Sequence, residues 1–196
     1  MKKLLVATDL SVASNAALRF AQEQVGARGD EIEIELVTVI EDLSTALVTF
    51  EFGVAPLVSD STYHDLQHAA SQRLESLAAE YFPERKARVV AFRGSSSVAQ
   101  DLAHHARETG ADELIVTTHG RSGVAHFLMG SVAEEVVRQG ICPTFVVPLR
   151  EGSQESMRNA RGAAPILVLT DFSPESTVVF PYAREQFAAC RSRGSE

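Results

Sequence analysis

Short apolar runs alternate with stretches whose apolar positions recur at helical spacing. Leu4 to Thr8 is apolar without polar alternation, as a strand covered on both faces requires. Asp9 stands at its end, and Ser11 or Ser14 is placed to cap a helix carrying Ala17, Leu18, Ala21 and Val25 on one face. Gly26 and Gly29 close that helix. Ile32 to Ile40 predicts a second strand, charged at its start and apolar later. Residues 41–63 keep neither period, contain Gly53 and Pro56, and predict a long, mobile excursion. Tyr63 to Phe82 predicts a helix with Leu66, Ala70, Leu74, Leu77 and Ala78 on one face, stopped by Pro83. Arg88 to Phe92 is a third strand, followed by a Gly94-Ser95-Ser96-Ser97 turn and cap and a helix over Val98 to Glu108. Leu114 to Thr117 and Thr144 to Val147 are the fourth and fifth strands, with a helix from Ser131 to Arg138 between them.

Strands alternating with helices imply βαβ units and right-handed crossovers. The expected fold is therefore α/β: a doubly wound, parallel, five-stranded, Rossmann-like sheet over residues 1–149. In such sheets ligands sit beyond the carboxyl ends of the strands. Residues 150–164, rich in Gly, Ser, Arg and Gln, read as a linker. Beyond it, Ile166-Leu167-Val168-Leu169-Thr170-Asp171-Phe172-Ser173 mirrors Leu4-Leu5-Val6-Ala7-Thr8-Asp9-Leu10-Ser11 at a constant offset of 162 positions (Ile166 against Leu4). Residues 165–196 are accordingly expected to form a partial second repeat, its first strand and first helix.

The segment Thr117–Ser131 carries the chemistry. A strand that runs through a glycine-bearing loop into a new helix leaves backbone N–H groups and the positive end of the helix dipole facing outward, a setting for an anion. Ser131-Val132-Ala133-Glu134 has the Ser-x-x-Glu form of a capping box. Asp9, Val39 and this loop all follow strand ends, so one rim can gather them.

Composition narrows the partners. Charged residues make up 22% and the formal net charge is -8, which argues against nucleic acid or an anionic membrane surface but leaves room for a small phosphate ligand held by backbone N–H groups. No apolar stretch is long enough to span a bilayer and no leader precedes the first strand, so a cytoplasmic protein is expected. Cys142 and Cys190 have no ligand spacing and read as unpaired thiols. His119 and His126 read as structural or solvent-facing, and His104 and His105 point in different directions on a helix. No nucleophile–base pair, P-loop or Gly-x-Ser-x-Gly elbow is present, so no catalytic residue is assigned and no metal ligand set is recognised.

The chain resembles the universal stress protein family. The resemblance is carried by Thr8-Asp9 with Ser11 and Ser14, by Gly94-Ser95, by Thr118-His119-Gly120-Arg121-Ser122-Gly123 through Gly130-Ser131-Val132-Ala133-Glu134, and by Cys142-Pro143 before the last strand. Members that bind ATP carry a Gly-x2-Gly-x9-Gly-Ser/Thr loop; Gly120, the intervening residues 121–129, Gly130 and Ser131 match it, and Thr117 stands at the first glycine. The resemblance implies a regulatory stress-response protein that binds ATP or ADP, with or without Mg2+. It implies contacts from Ala7, Asp9, Val39, Thr117, Gly120, Arg121, Gly130, Ser131 and Val132: Asp9 toward ribose or the adenine edge, the Val39 backbone toward adenine, and Gly120, Gly130, Ser131 and Val132 toward the phosphates. It also implies a homodimer paired through the last strand, Thr144, Phe145, Val146 and Val147. The alternatives are a nucleotide-free dimeric scaffold regulated by phosphorylation on Ser or Thr, with Ser122 and Ser131 as candidate acceptors, and slow ATP hydrolysis.

Overall fold

In the computed structural model the described residues are 1–29, 32–41, 60–118, 130–148, 167–171, 173–174 and 176–192. The chain divides into two compact units, Met1–Gln22 with Glu31–Leu149 and Glu23–Asp30 with Arg150–Glu196.

The first unit is a five-stranded parallel sheet. Its elements are β1 (Lys2–Ala7), α1 (Asn15–Arg28, which runs into the second unit), β2 (Ile32–Ile40), α2 (Asp60–Tyr81), β3 (Arg88–Arg93), α3 (Val98–Thr109), β4 (Glu113–Thr117), α4 (Ser131–Gln139) and β5 (Thr144–Val147). The strand order is β3-β2-β1-β4-β5. The chain winds outward through β2 and β3, then crosses back to β4, so the switch point lies between β1 and β4. Leu5 sits opposite Glu35 on one side and Leu114 on the other, which fixes β1 as the central strand.

The apolar runs become strands because both faces are covered. Leu5, Ala7, Val37, Leu114 and Val116 pack with Ala99, Leu102 and Ala106 of α3 and Ala133 and Val136 of α4. Alternation sends Leu4, Val6, Leu36 and Ile115 to the opposite face, and all are buried. α2 packs on β2 and β3 and carries buried Tyr63, Ala70, Leu74 and Leu77. It starts at Asp60, before the first apolar position that announces it in the sequence.

Of the three acidic residues buried among the described residues, Glu35, Asp101 and Glu113, Glu35 is buried most completely. The Glu35 side chain is 0% exposed, with Arg88 Nη1 3.4 Å and Lys3 Nζ 3.9 Å from Oε2. His105 Nε2 lies 2.5 Å from Glu35 Oε1, and its ring stacks on Phe92 with centroids 5.3 Å apart. His104 instead faces Glu108 at the surface, so the two adjacent histidines do diverge. Cys142 is a free thiol, and burial first, then the nearby carboxylates of Glu113 and Asp112, push its pKa up.

In the second unit, the 3-10 turn Ser176–Val178 leads into α5 (Val179–Ser192). The strand expected at 166–170 does not form among the described residues: 167–170 join no strand, with Leu167 83% and Leu169 80% exposed. An apolar run becomes a strand only by pairing, and among the described residues no strand pairs with 167–170. The turn that follows nevertheless repeats, among the described residues, several bonds of the one after β1. Asp9 Oδ1 accepts from the Ser11 N–H at 3.0 Å, and Asp171 Oδ1 from the Ser173 N–H at 2.9 Å. The Thr8 and Ser14 hydroxyls meet at 2.7 Å, as do those of Thr170 and Ser176. Ser11 Oγ accepts from the Ser14 N–H, and Ser173 Oγ from the Ser176 N–H. Ser173 and Ser176 hold the Asp171 carboxyl down at about 2.

Candidate functional site

The carboxyl ends of β1, β2 and β4 open onto a cavity of about 690 Å³, within the range of small-molecule sites. It spans three adjacent strands, about 10 Å from β2 to β4 at ordinary strand spacing. That is close to the reach from a nucleotide's ring to its phosphates.

The β1 side is built by a strained turn. Thr8 Oγ1 accepts from the Leu10 N–H at 3.0 Å, and Leu10 adopts φ 63°, a left-handed conformation that non-glycine residues seldom take. Leu10 is the non-glycine residue with positive φ among the described residues. The Ser11 and Ser14 bonds hold the turn, and strain of this kind gathers at ligand sites. It brings Asp9 and Leu10 onto the cavity wall. The β2 side contributes Val39, Ile40 and Glu41, and α2 contributes Leu66, Ala69 and Ala70.

A close approach fixes Val39. At Gly94, which follows β3, a Cβ would stand 2.6 Å from Asp101 Oδ2 and 3.0 Å from Val39 Cγ1. Asp101 is buried and ties this turn, accepting from the Ser95 and Ser96 N–H groups at 3.1 and 3.2 Å and from Ser95 Oγ at 3.2 Å. Ser97 then caps α3 by accepting from the Gln100 N–H at 3.2 Å, as its position in the sequence leads one to expect.

On the β4 side, Thr117 pairs with Val147 in the sheet and lines the cavity. The Ser131–Glu134 capping box does not form. Gly130 is the N-cap of α4, with φ -61° and ψ 152°, and offers no side chain to the helix. Glu134 turns the other way and pairs with Arg138 one turn along, at 2.5 Å. The first ladder bond runs from Glu134 N to Gly130 O at 2.9 Å, so the N–H groups of Ser131, Val132 and Ala133 have no acceptor within the helix. Ser131 and Val132 lie on the cavity wall.

Of the site residues read from the sequence, Ala7, Asp9, Val39, Thr117, Ser131 and Val132 line this one cavity. Gly130 enters as the cap of α4. Gly120 and Arg121 lie outside the described residues, as do His119, Ser122, His126 and positions 42–59 of the expected excursion. The sequence reading missed Thr8, Leu10, Glu41 and the α2 wall. A signal for α2 existed in Leu66, the outermost apolar position of its stripe. None existed for Leu10, whose backbone conformation its side chain does not announce.

Among the described residues no helix is long and apolar enough to cross a membrane, and no group of three or more His, Cys, Asp or Glu side chains is placed to hold a metal ion. The polar groups divide by strand. The two charged side chains on the described wall, Asp9 and Glu41, are acidic and follow β1 and β2; the anion-seeking N–H groups follow β4. A ligand with a hydroxyl- or amine-bearing end and an anionic end suits that polarity.

A family model described as the universal stress protein family matches residues 1–148. Universal stress protein YxiE of Bacillus subtilis is 26% identical over 151 residues, 74% of this chain and 97% of that protein. The structure of MJ0577 from Methanocaldococcus jannaschii superposes with a TM-score of 0.61 at 23% identity, covering 76% of this chain and 97% of that one. A universal stress protein from Archaeoglobus fulgidus superposes with a TM-score of 0.53 at 18% identity, over 75% of this chain and 98% of that one. The sheet order, the helices that flank it and the family match over most of the chain lead to one assignment: this chain belongs to the universal stress protein family.

Proposed function

We propose that the cavity binds an adenine nucleotide, ATP or ADP, and that occupancy regulates the protein in a stress response. The observation that carries this reading is the uncapped N-terminus of α4, which shares one cavity with the carboxyl ends of β1, β2 and β4. The N–H groups of Ser131 and Val132, with the Ser131 hydroxyl, are the donors for phosphate oxygens. Asp9 accepts from ribose hydroxyls or the adenine amine, and the Val39 backbone meets the adenine edge. Gly120 and Arg121 complete the phosphate end in this reading. Isothermal titration of the full chain with ATP, ADP and AMP, with and without Mg2+, tests the reading. Binding in the millimolar range or tighter, with a raised melting temperature, supports it; no heat and no thermal shift at millimolar nucleotide overturns it.

A second copy pairing along β5 is the assembly favoured by the sheet itself. β5 ends the strand order with β4 as its neighbour, and Thr144, Phe145 and Val146 stay partly exposed along it. Such an edge is open to pairing with its twin about a two-fold axis. Sedimentation at high micromolar concentration is expected to give a dimer; a monomer there ends this assignment.

A further inference from the structure

We infer that α2 supplies the platform for the ligand's ring, and that Leu66 sets a preference for a purine over a smaller ring. The inference rests on the cavity being a nucleotide site. Leu66 belongs to the apolar stripe of α2 by its i, i+3 and i+4 spacing from Tyr63 and Ala70. Those two residues are buried, as are Leu74 and Leu77 further along, but Leu66 is 39% exposed. It lies on the cavity wall, where a ligand can cover it. Ala69 and Ala70 line the same wall with single methyl groups, leaving room beside the leucine. Val39 and Ile40 add apolar surface from the end of β2.

Charge fixes which end of a ligand meets this wall. Asp9 and Glu41, on the β1 and β2 side, repel a phosphate, whereas the free N–H groups of α4 attract one. α2 packs on β2 and β3, and α4 packs on β5 and α3, so the two helices serve opposite ends of the cavity. A nucleotide with its phosphates at Ser131 therefore turns its ring toward Leu66. Burial is favourable in proportion to the apolar area covered, so a bicyclic ring gains more from this platform than a monocyclic one.

Titration calorimetry on the full chain separates the outcomes, using AMP, adenosine and CMP as probes with wild type, Leu66→Ala and Leu66→Gln. Both variants are expected to weaken AMP and adenosine alike, roughly tenfold, and to narrow the preference for AMP over CMP. Because Leu66 is part exposed, circular dichroism is expected to show both variants folded. If wild type binds AMP and both variants bind it within roughly twofold of wild type with the preference intact, the ring packs elsewhere and the inference is overturned while the nucleotide reading stands. If wild type binds none of the probes and gives no heat with ATP or ADP either, the nucleotide reading itself fails; binding of ATP or ADP without AMP overturns the inference alone.

Discussion

Replacing Ser131 with proline is expected to leave α4 intact while removing its best phosphate donors, the reverse of what proline does inside a helix. Ser131 is the first residue of α4, and its N–H has no acceptor in the ladder, which begins with Glu134 N to Gly130 O at 2.9 Å. Proline is favoured at this position because the N–H it lacks is already unused. Its ring also demands an extended conformation in the preceding residue, and Gly130 already has φ -61° and ψ 152°. The fold is therefore expected to hold or to gain about 0.4–1 kcal/mol from a stiffer unfolded chain, a rise of roughly 1–4 °C in melting temperature. Binding is expected to move the other way. One hydrogen bond to a charged group is worth about 1.5–3 kcal/mol, so losing the N–H alone weakens ADP roughly tenfold to a hundredfold. Ser131→Ala keeps the N–H and isolates the hydroxyl's share. Calorimetry with ADP and thermal melts of the three proteins measure both quantities. Unchanged ADP affinity in Ser131→Pro would show that the anion does not sit on α4; a fall in melting temperature beyond roughly 5 °C would show that the Ser131 N–H is not spare.

Substitutions at four further positions probe the frame around the cavity and the second unit. Gly94→Ala drives a Cβ to 2.6 Å from Asp101 Oδ2; overpacking and weakened turn bonds are expected to cost about 2–4 kcal/mol in urea unfolding, and a cost below about 1 kcal/mol would mean that the turn yields freely. Glu35→Ala removes a fully buried carboxylate from Lys3, Arg88 and His105 and is expected to lose about 2–4 kcal/mol, with Glu35→Leu losing less because it refills the space without a charge; equal losses would refute that account. Thr117→Gly removes a side chain from the cavity wall and is expected to tighten nucleotide binding by roughly threefold to tenfold, since β4 keeps its backbone pairing; weaker binding would make Thr117 a contact instead of an obstruction. The Asp171 carboxyl, lowered from 3.8 to about 2 mainly by the Ser173 side chain, makes the turn's preference for the ionised form fully present above pH 3.8 and lost as pH falls through about 2. A carboxyl-carbon NMR titration is expected to find that low midpoint and a higher one in Ser173→Ala, whereas an ordinary midpoint in the wild type would rule out the bonded turn.

What could be read from the sequence was local and periodic. The buried cores of β1, β2 and β4 announce themselves because a strand covered on both faces needs apolar residues at every position, and the stripe of α2 is visible for the same kind of reason. What could not be read depends on choices between partners. Glu35 looks like a charge near the start of a strand, but its burial is settled by His105, which lies 70 positions away. Leu167 and Leu169 have the apolar character of Leu5 and Ala7 and remain exposed where those are buried, because strand formation belongs to a pair and not to a segment. Ser131 and Glu134 show the same ambiguity at the site. Their spacing fits a capping box, yet the position of Glu134 relative to Arg138 fits an i, i+4 ion pair equally well, and the fold takes the second option. That outcome has chemical consequences. A closed box would occupy the helix terminus with Ser131 Oγ and set a carboxylate beside it, opposing any phosphate. With Gly130 as the cap and Glu134 turned toward Arg138, the helix terminus beside the cavity is left without that competitor.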